Sequence, residues 1–205
     1  MQHIAIAGNI GAGKTTLTRL LADQFGWQPQ FEVVDQNPYL DDFYTDMGRW
    51  SFNLQMYFLS QRLRQLLDIR QRAQTVVQDR TIYEDAYIFA PNLAQMGLMA
   101  SRDFETYASL FETLQQLVQP PDLLIYLKAS IPKLVHQIQL RGRGYEENIR
   151  LDYLKRLNEA YERWIESYHE GPLLIIPVDE LDFANQPEDL AEVVRQVNFR
   201  IKHPF

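Results

Sequence analysis

Short apolar runs alternate along the chain with longer segments in which apolar residues recur at helical spacing. Alternation of this kind is typical of a parallel α/β sheet. The apolar runs predict five strands, at residues 3–7, 30–34, 75–78, 123–127 and 173–178. The helical spacing predicts helices at residues 16–22, 49–73, 86–93, 104–118, 131–140, 149–169 and 187–201. We therefore expect a three-layer α/β/α fold, in which helices cover both faces of a five-stranded parallel sheet.

The connection between the second strand and the long helix is predicted to be rich in turns, because Asn37-Pro38 and Asp41-Asp42 lie in it. No repeat, linker or low-complexity segment divides the 205 residues, so we expect one domain over residues 1–205. That length is sufficient for a substantial core, and a hydrophobic content of 46% excludes a disordered chain.

Charge and composition narrow the function classes. The formal net charge of −7 argues against a general binder of polymeric nucleic acid, which needs basic surface. The chain contains no cysteine, which excludes disulfides and thiolate chemistry. The N-terminus enters a strand at once, and no apolar run approaches the length of a membrane span. We therefore expect a cytoplasmic protein with no signal peptide and no membrane partner.

Residues 8–15 match the phosphate-binding P-loop pattern G-x-x-x-x-G-K-[ST] in full, between the first strand and the first helix. The loop's backbone N–H groups and the helix N-terminus would surround phosphate oxygens. Lys14 would reach the β and γ phosphates, and the Thr15 hydroxyl would ligate Mg²⁺. A glycine-rich helix cap without a ligand is the alternative, and the complete pattern in its proper place disfavours it. The predicted nucleotide-binding residues are Gly8, Asn9, Ile10, Gly11, Ala12, Gly13, Lys14, Thr15 and Thr16.

Charged residues follow other predicted strands, where ligands of parallel sheets bind. Glu32 lies near the end of the second strand, and Asp79 and Arg80 follow the third. Asp79 could hold Mg²⁺ through water, and Glu32 could accept the proton of an attacking hydroxyl. Each could instead be an ordinary ion pair or a solvated residue. Their shared position beside the P-loop favours a phosphoryl-transfer site.

Arg141 and Arg143 alternate with glycines after the fifth predicted helix. Glycines beside both arginines favour a mobile lid, at about residues 141–148, that closes over the transferring phosphoryl group. The alternative is a solvated basic helix end, where arginine complements the helix dipole.

Together these motifs resemble the deoxynucleoside kinase family. The likeness begins in the P-loop and extends over most of the chain, through residues 49–52, 55, 62, 79–80, 85–90, 92, 140–143, 146–147 and 152–154. Residues 32–47 are most similar to the bacterial deoxyadenosine/deoxyguanosine kinases. The resemblance implies a P-loop kinase fold with an arginine-bearing lid. It also implies transfer of the ATP γ-phosphate to the 5′-hydroxyl of a deoxynucleoside, with Mg²⁺.

The resemblance further implies a role for each matching residue. Glu32 would be the general base, with Arg80 beside it and Asp35 as a weaker candidate. Lys14, Arg141 and Arg143 would act on the phosphoryl group. The acceptor would be held by Tyr44 and Glu147 at the 3′-hydroxyl, by Gln55, Arg62 and Asp85 around the base, and by Phe89 stacked on it. Asp182 and Phe183 belong to a segment similar to the family's donor-base loop.

The chain departs from the family pattern in the lid. One extra residue precedes the paired glutamates, which leaves Glu146 as an alternative to Glu147 at the sugar. Gln137 replaces an arginine of some relatives, which weakens inference about how the lid packs on the donor base.

In the family, an arginine–aspartate pair such as Arg62 and Asp85 goes with cytosine or purine acceptors. An aspartate can accept from an exocyclic amino group, and thymine has none. We expect deoxyadenosine or deoxyguanosine as acceptor, with a deoxycytidine-preferring or broad-specificity kinase as the alternative. A nucleoside monophosphate kinase is less favoured, because its acceptor pocket would need further arginines. A GTP switch would need Asn-Lys-x-Asp, which the chain lacks.

Relatives are usually homodimers, joined by a four-helix bundle. The helices predicted at residues 49–73 and 104–118 carry apolar residues on more than one side, among them Leu63, Leu67, Ile69, Leu110, Leu114 and Leu117. We therefore expect a homodimer, although these faces suit an intramolecular core equally well.

Overall fold

A computed structural model of the chain describes residues 2–32, 37–144 and 149–203. Its strands are β1 His3–Gly8, β2 Gln28–Gln30, β3 Val76–Asp79, β4 Leu123–Lys128 and β5 Leu173–Pro177. All strand pairs are parallel, and the strand order across the sheet is β2-β3-β1-β4-β5. The predicted five-stranded parallel sheet of a P-loop kinase fold is confirmed.

The helices fill the intervals between the strands. They are α1 Lys14–Phe25, α2 Leu40–Thr45, α3 Met47–Gln71, α4 Ile82–Glu84, α5 Ala90–Gln95, α6 Ser101–Gln115, α7 Ile131–Arg141, α8 Leu151–Glu166 and α9 Pro187–Lys202. A π-helical turn, Asp85–Phe89, joins α4 to α5. In the described parts of the chain, no helix is both long enough and apolar enough to cross a bilayer.

Strand β1 lies at the centre of the sheet and of the core. Its residues Ile4, Ala5, Ile6 and Ala7 are all fully buried, although successive side chains point to opposite faces. Helices therefore cover both faces of the sheet. Strands β2 and β3 follow on one side of β1, and β4 and β5 follow on the other. The strand order reverses at β1, so a ligand crevice is expected at its carboxyl end, which is where the P-loop begins.

Two local predictions were wrong, and one short helix was not predicted. Strand β2 ends at Gln30, so Glu32 lies beyond the strand rather than within it. Gln30 pairs with Gln78, and β3 extends one residue further, to Asp79, before Arg80 adopts a left-handed conformation. The helix predicted from residue 86 is preceded by α4, which begins after a Thr81 N-cap. Part of the predicted turn-rich stretch is helix α2.

Candidate active site

One cavity of about 440 Å³ opens beyond the carboxyl ends of β1 and β3. Predicted site residues from the P-loop, the β2–α2 connection, α2, α3, the π turn and the end of α7 meet in its walls. They are Ile10, Gly11, Lys14, Thr15, Glu32, Tyr44, Gln55, Arg80, Asp85, Phe89, Arg141 and Arg143. Residues predicted to bind phosphate and residues predicted to bind a sugar and base thus share one space.

The P-loop backbone depends on glycine at two crowded positions. Gly11 has a φ of 87°, and a Cβ there would lie 2.8 Å from the Leu134 carbonyl oxygen. Gly13 has a φ of 95°, and a Cβ there would lie 3.0 Å from the ring of Phe183. A larger residue would clash at either position and would also have to adopt a left-handed backbone.

Asn9 fixes the P-loop to α8. Its amide nitrogen donates to the Leu154 carbonyl oxygen and to the Asn158 side-chain oxygen, each at 3.1 Å. Its own side-chain oxygen accepts from the N–H of Ile10 at 2.8 Å. This residue occupies a variable position of the P-loop pattern, and its role is to hold the loop rather than to line the cavity.

Lys14 is buried at the base of the P-loop, where its Nζ donates to the Asn9 carbonyl oxygen at 3.0 Å. Burial, reinforced by the nearby charge of Arg80, lowers the pKa of Lys14 to about 7. The surroundings therefore penalise the positive charge until an anion arrives. A phosphate is the natural partner for an ammonium group in this position.

Thr15 and Asp79 form a pair of oxygen ligands beside the loop. The Thr15 hydroxyl donates to Asp79 Oδ2 at 2.5 Å. The second carboxylate oxygen, Asp79 Oδ1, is buried and has no hydrogen-bond partner among the residues described. Burial raises the pKa of Asp79. Hard oxygen ligands with one unsatisfied carboxylate oxygen fit Mg²⁺, which takes few protein ligands and completes its shell with water and phosphate.

A chain of buried charges crosses the other half of the cavity. Arg62 donates to Glu32 Oε1 at 2.6 Å and also contacts the Asp85 carboxylate. Arg80 Nε lies 3.5 Å from the same Glu32 oxygen. Burial raises the pKa of Glu32, but the charges of Arg80 and Arg62 more than offset burial and hold that pKa at about 2. The Glu32 carboxylate is therefore ionised throughout the physiological range.

Arg80 is held in an unusual backbone conformation with φ 68°, whereas left-handed residues are usually glycine. The turn directs its guanidinium back across the end of the sheet. The guanidinium lies 4.5 Å above the Phe89 ring and donates to the Tyr161 hydroxyl at 3.4 Å. Strain of this kind is common where a side chain must be presented to a reaction centre.

Gln55 points a polar group into the acceptor half of the cavity. It is 2% exposed, and its Oε1 has no hydrogen-bond partner in the described part of the chain. Leu54, Phe58 and Phe89 supply apolar walls around it. An apolar slot with a few polar groups is the usual form of a site for a nucleobase-sized ligand.

The P-loop, the carboxylate–guanidinium cluster and the apolar slot agree with one family across the whole fold. A family model described as deoxynucleoside kinase matches residues 4–202. The chain belongs to the deoxynucleoside kinase family.

Relatives of similar length and a solved structure of similar fold agree with this assignment. The deoxyadenosine/deoxycytidine kinase of Bacillus subtilis (strain 168) is 39% identical, over 95% of this chain and 90% of the relative. The deoxyadenosine kinase of Dictyostelium discoideum is 40% identical, over 94% of this chain and 78% of the relative. The structure of a deoxyadenosine kinase from M. mycoides with bound dATP has a TM-score of 0.85 at 28% identity, over 97% of this chain and 100% of that one.

Several predicted residues of the kinase do not line the cavity. Five of them belong to the P-loop segment: Gly8, Asn9, Ala12, Gly13 and Thr16. Arg62 and Asp79 lie behind the cavity wall, where Arg62 contacts Glu32 and Asp79 accepts a hydrogen bond from Thr15. Phe183 is buried against Gly13, and the Asp182 carboxylate accepts from Asn185 at 2.9 Å. Arg141 is the last residue of α7, so the helix-end interpretation and the lid interpretation both suit it. Asp35, Glu146, Glu147 and the remainder of the lid at residues 145–148 lie outside the described residues.

Sequence reasoning missed residues that complete the site of the kinase. Arg19 lines the cavity but belongs to no motif that would single it out. Tyr153 also lines it, and the family resemblance covered residues 152–154 without giving Tyr153 a role. Glu84 and Tyr161 do not line the cavity but contact residues of the site. Glu84 accepts from the Gly8 N–H of the P-loop, and the Tyr161 hydroxyl accepts from Arg80. The spacing Thr81-x-x-Glu84 is a capping-box signature, which could have predicted the start of α4 and drawn attention to Glu84.

Proposed function

We propose that this kinase transfers the γ-phosphoryl group of ATP to the 5′-hydroxyl of deoxyadenosine or deoxyguanosine, in purine salvage. The observation that carries the proposal is the position of Glu32. Its carboxylate lies between the Arg62 and Arg80 guanidiniums, in the same cavity as Lys14. A carboxylate there can face a hydroxyl on one side while the P-loop holds a triphosphate on the other.

In this reaction the Glu32 carboxylate accepts the proton of the 5′-hydroxyl as the new oxygen–phosphorus bond forms and the bond to ADP breaks. A carboxylate with a pKa of about 2 is a weak base. Phosphoryl transfer needs orientation of the nucleophile more than base strength, because its transition state is loose. Arg80 Nε has no hydrogen-bond partner among the described residues, and a 5′-oxygen next to Glu32 would be within its reach.

On the donor side, Lys14, Arg141 and Arg143 neutralise the phosphoryl oxygens, and the backbone of the loop from Gly8 to Thr16 holds the phosphates, with Asn9 fixing that loop to α8. Thr15 and Asp79 would hold Mg²⁺, which would neutralise charge on the phosphates when bound. Asp182 and Phe183 are proposed for the donor base and Glu147 for the sugar, as predictions from the family resemblance.

On the acceptor side, Tyr44 binds the 3′-hydroxyl and Phe89 stacks on the base. Gln55 and Asp85 face its polar edge, and Arg62 holds the Asp85 carboxylate from behind the cavity wall. The unpaired Gln55 Oε1 accepts from an exocyclic amino group such as that of adenine. Relatives named for deoxyadenosine and for deoxyguanosine support a purine acceptor. Deoxycytidine stays the second candidate, because the Bacillus subtilis relative is also named for it.

The assay offers the purified enzyme ATP and each of the four deoxynucleosides, with deoxyadenosine monophosphate in parallel. We expect kcat/KM to be highest for a deoxypurine nucleoside, lower for deoxycytidine and lowest for thymidine, with no turnover of the monophosphate. Preferred phosphorylation of thymidine would contradict the specificity. Preferred phosphorylation of the monophosphate would contradict the reaction itself.

We further propose a homodimer of single-domain subunits in the cytoplasm. Three exposed leucines support the dimer. Leu67 of α3 is 46% exposed, Leu110 of α6 is 37% exposed, and Leu117, which follows α6, is 62% exposed. The neighbouring ends of these helices are joined by a contact from Arg70 to the Leu117 carbonyl oxygen. Light scattering at low and high concentration should give the mass of two chains, and a Leu67→Glu variant should shift that mass toward one.

A further inference from the structure

A third buried carboxylate among the described residues, Glu84, lies beside the active site with Asp79 and Asp85 and has no role in the proposed reaction. It is fully buried, with 0% of its surface exposed. It does not line the cavity, so it touches neither substrate. Burying an ionised carboxylate is costly unless hydrogen bonds satisfy it. The contacts of Glu84 therefore indicate what its burial accomplishes.

One oxygen of Glu84 completes a helix cap. Oε2 accepts from the Thr81 backbone N–H at 2.6 Å and from the Thr81 hydroxyl at 3.2 Å. Thr81 immediately follows Arg80, the residue with a left-handed backbone. The cap thus fixes the chain just after the strained turn, whereas an ordinary capping acid lies on an exposed first turn and does no more than cap.

The other oxygen of Glu84 leaves the helix and joins two parts of the active site. Oε1 accepts from the Gly8 N–H at 3.3 Å and from the Tyr161 hydroxyl at 2.7 Å. Gly8 is the first residue of the P-loop. The Tyr161 hydroxyl in turn accepts from Arg80 Nη1 at 3.4 Å. A cap alone would need neither contact.

We propose that Glu84 is a positioning residue, which fixes Arg80 relative to the first glycine of the P-loop. It acts on the Arg80 backbone through Thr81 and on the Arg80 guanidinium through Tyr161. The proposal rests on the proposed kinase reaction, in which the hydroxyl next to Arg80 must align with a phosphoryl group held by the P-loop. An error in that alignment lowers kcat more than it weakens substrate binding.

The sharpest test removes the Tyr161 hydroxyl alone. Tyr161→Phe keeps Glu84 and its cap but breaks the bridge to Arg80. Tyr126→Phe is a matched control. Tyr126 is a buried tyrosine stacked on Tyr161 at 5.9 Å, and its hydroxyl donates to Glu162 rather than toward Arg80. Misplacement of a catalytic group by about 1 Å can lower the rate by about a hundredfold, so even a partial shift of Arg80 should be measurable.

We expect kcat of Tyr161→Phe to fall about tenfold or more per folded molecule, with KM for ATP changed by less than about twofold. Tyr126→Phe should stay within about twofold of wild type in both constants. Glu84→Gln should lose at least as much kcat as Tyr161→Phe. Both carboxylate oxygens of Glu84 accept hydrogen bonds, whereas the NH₂ group of glutamine can only donate and would face one of these two sets of donors. In the double variant, the loss should be smaller than the product of the two single losses.

Equal kcat values for Tyr161→Phe and Tyr126→Phe would overturn the proposal, as would fully multiplicative losses in the double variant. Should Glu84→Gln fail to fold, the comparison of the two tyrosine variants decides alone. Failure of the proposed reaction gives a different result, since the wild type would then phosphorylate no deoxynucleoside.

Discussion

The charge state of Glu32 leads to a quantitative prediction about acid stability. The pKa of its carboxyl lies at about 2 in the fold, against 4.5 for the ordinary side chain, because the charges of Arg80 and Arg62 outweigh the effect of burial. A difference of this size between folded and unfolded states corresponds to about 3 kcal/mol of stability. The perturbation that removes it is Glu32→Gln, which keeps the shape of the side chain and abolishes its ionisation.

The direction in which stability changes with pH follows from the lowered pKa of Glu32. A folded-state pKa below the unfolded one means that the ionised carboxylate stabilises the fold. That stabilisation is fully present above pH 4.5 and is lost as the pH falls toward 2. Of the roughly 3 kcal/mol present at pH 7, about 2 kcal/mol should be lost by pH 3. The variant lacks this carboxylate and therefore its pH dependence. The difference in unfolding free energy between wild type and variant should be about 2 kcal/mol smaller at pH 3 than at pH 7.

Urea unfolding at several pH values between 7 and 3 measures the difference directly. Glu162→Gln serves as the control, because its carboxylate pairs with Lys128 at a half-exposed site and should contribute less than about 1 kcal/mol. At pH 7.5 the same Glu32→Gln protein should lose roughly 10²–10⁴ in kcat. A wild-type-minus-variant difference that stays constant with pH would refute the charge cluster as described, and unchanged turnover would refute the role of Glu32.

Three further changes test the rest of the site. Gly11→Ala should weaken ATP binding at least about tenfold, as measured by calorimetry, since its Cβ would lie 2.8 Å from the Leu134 carbonyl oxygen at a φ of 87°. Arg80→Gly should be more stable to denaturant than Arg80→Ala by about 1 kcal/mol, the reverse of the usual order, because only glycine relieves the φ of 68°; equal stabilities would argue against strain. Asp79→Asn should raise the Mg²⁺ concentration for half-maximal activity at least about tenfold, whereas an unchanged Mg²⁺ titration would exclude Asp79 as a ligand.

The local motifs of this chain could be predicted from sequence because their geometry is nearly independent of the rest of the fold. The P-loop is one contiguous segment, and its position between a strand and a helix fixes where its backbone points. Asp79 and Arg80 could be predicted in the same way, because the carboxyl ends of parallel strands meet at one edge of the sheet. The order of strands and helices required only the periodicity of apolar residues.

The contacts between segments could not be predicted. The hydrogen bond from Arg62 to Glu32 joins residues 30 positions apart, and that from Tyr161 to Glu84 joins residues 77 positions apart. Strand β2 lies earlier in the chain than predicted, because its bounds follow from a long-range pairing of Gln28–Gln30 with residues 76–78 of β3. Family resemblance supplied roles for Gln55 and Phe89, which periodicity alone would assign to a helix face or to the core.

The unsatisfied polar atoms provide an argument for ligand binding that does not depend on resemblance. Folded proteins rarely bury a polar atom without a partner, since each such atom costs about 1–3 kcal/mol. In the part of the chain that the structure describes, three atoms of the site make no hydrogen bond: Gln55 Oε1, Asp79 Oδ1 and Arg80 Nε, the last of which lies 3.5 Å from the Glu32 carboxylate in an ion pair. An amino group on a base, a metal ion and a sugar hydroxyl would satisfy them in turn. These three partners occur together when a nucleoside and a metal–triphosphate complex bind side by side. Binding of both substrates side by side would therefore recover the cost of these atoms, as expected of a pre-organised site.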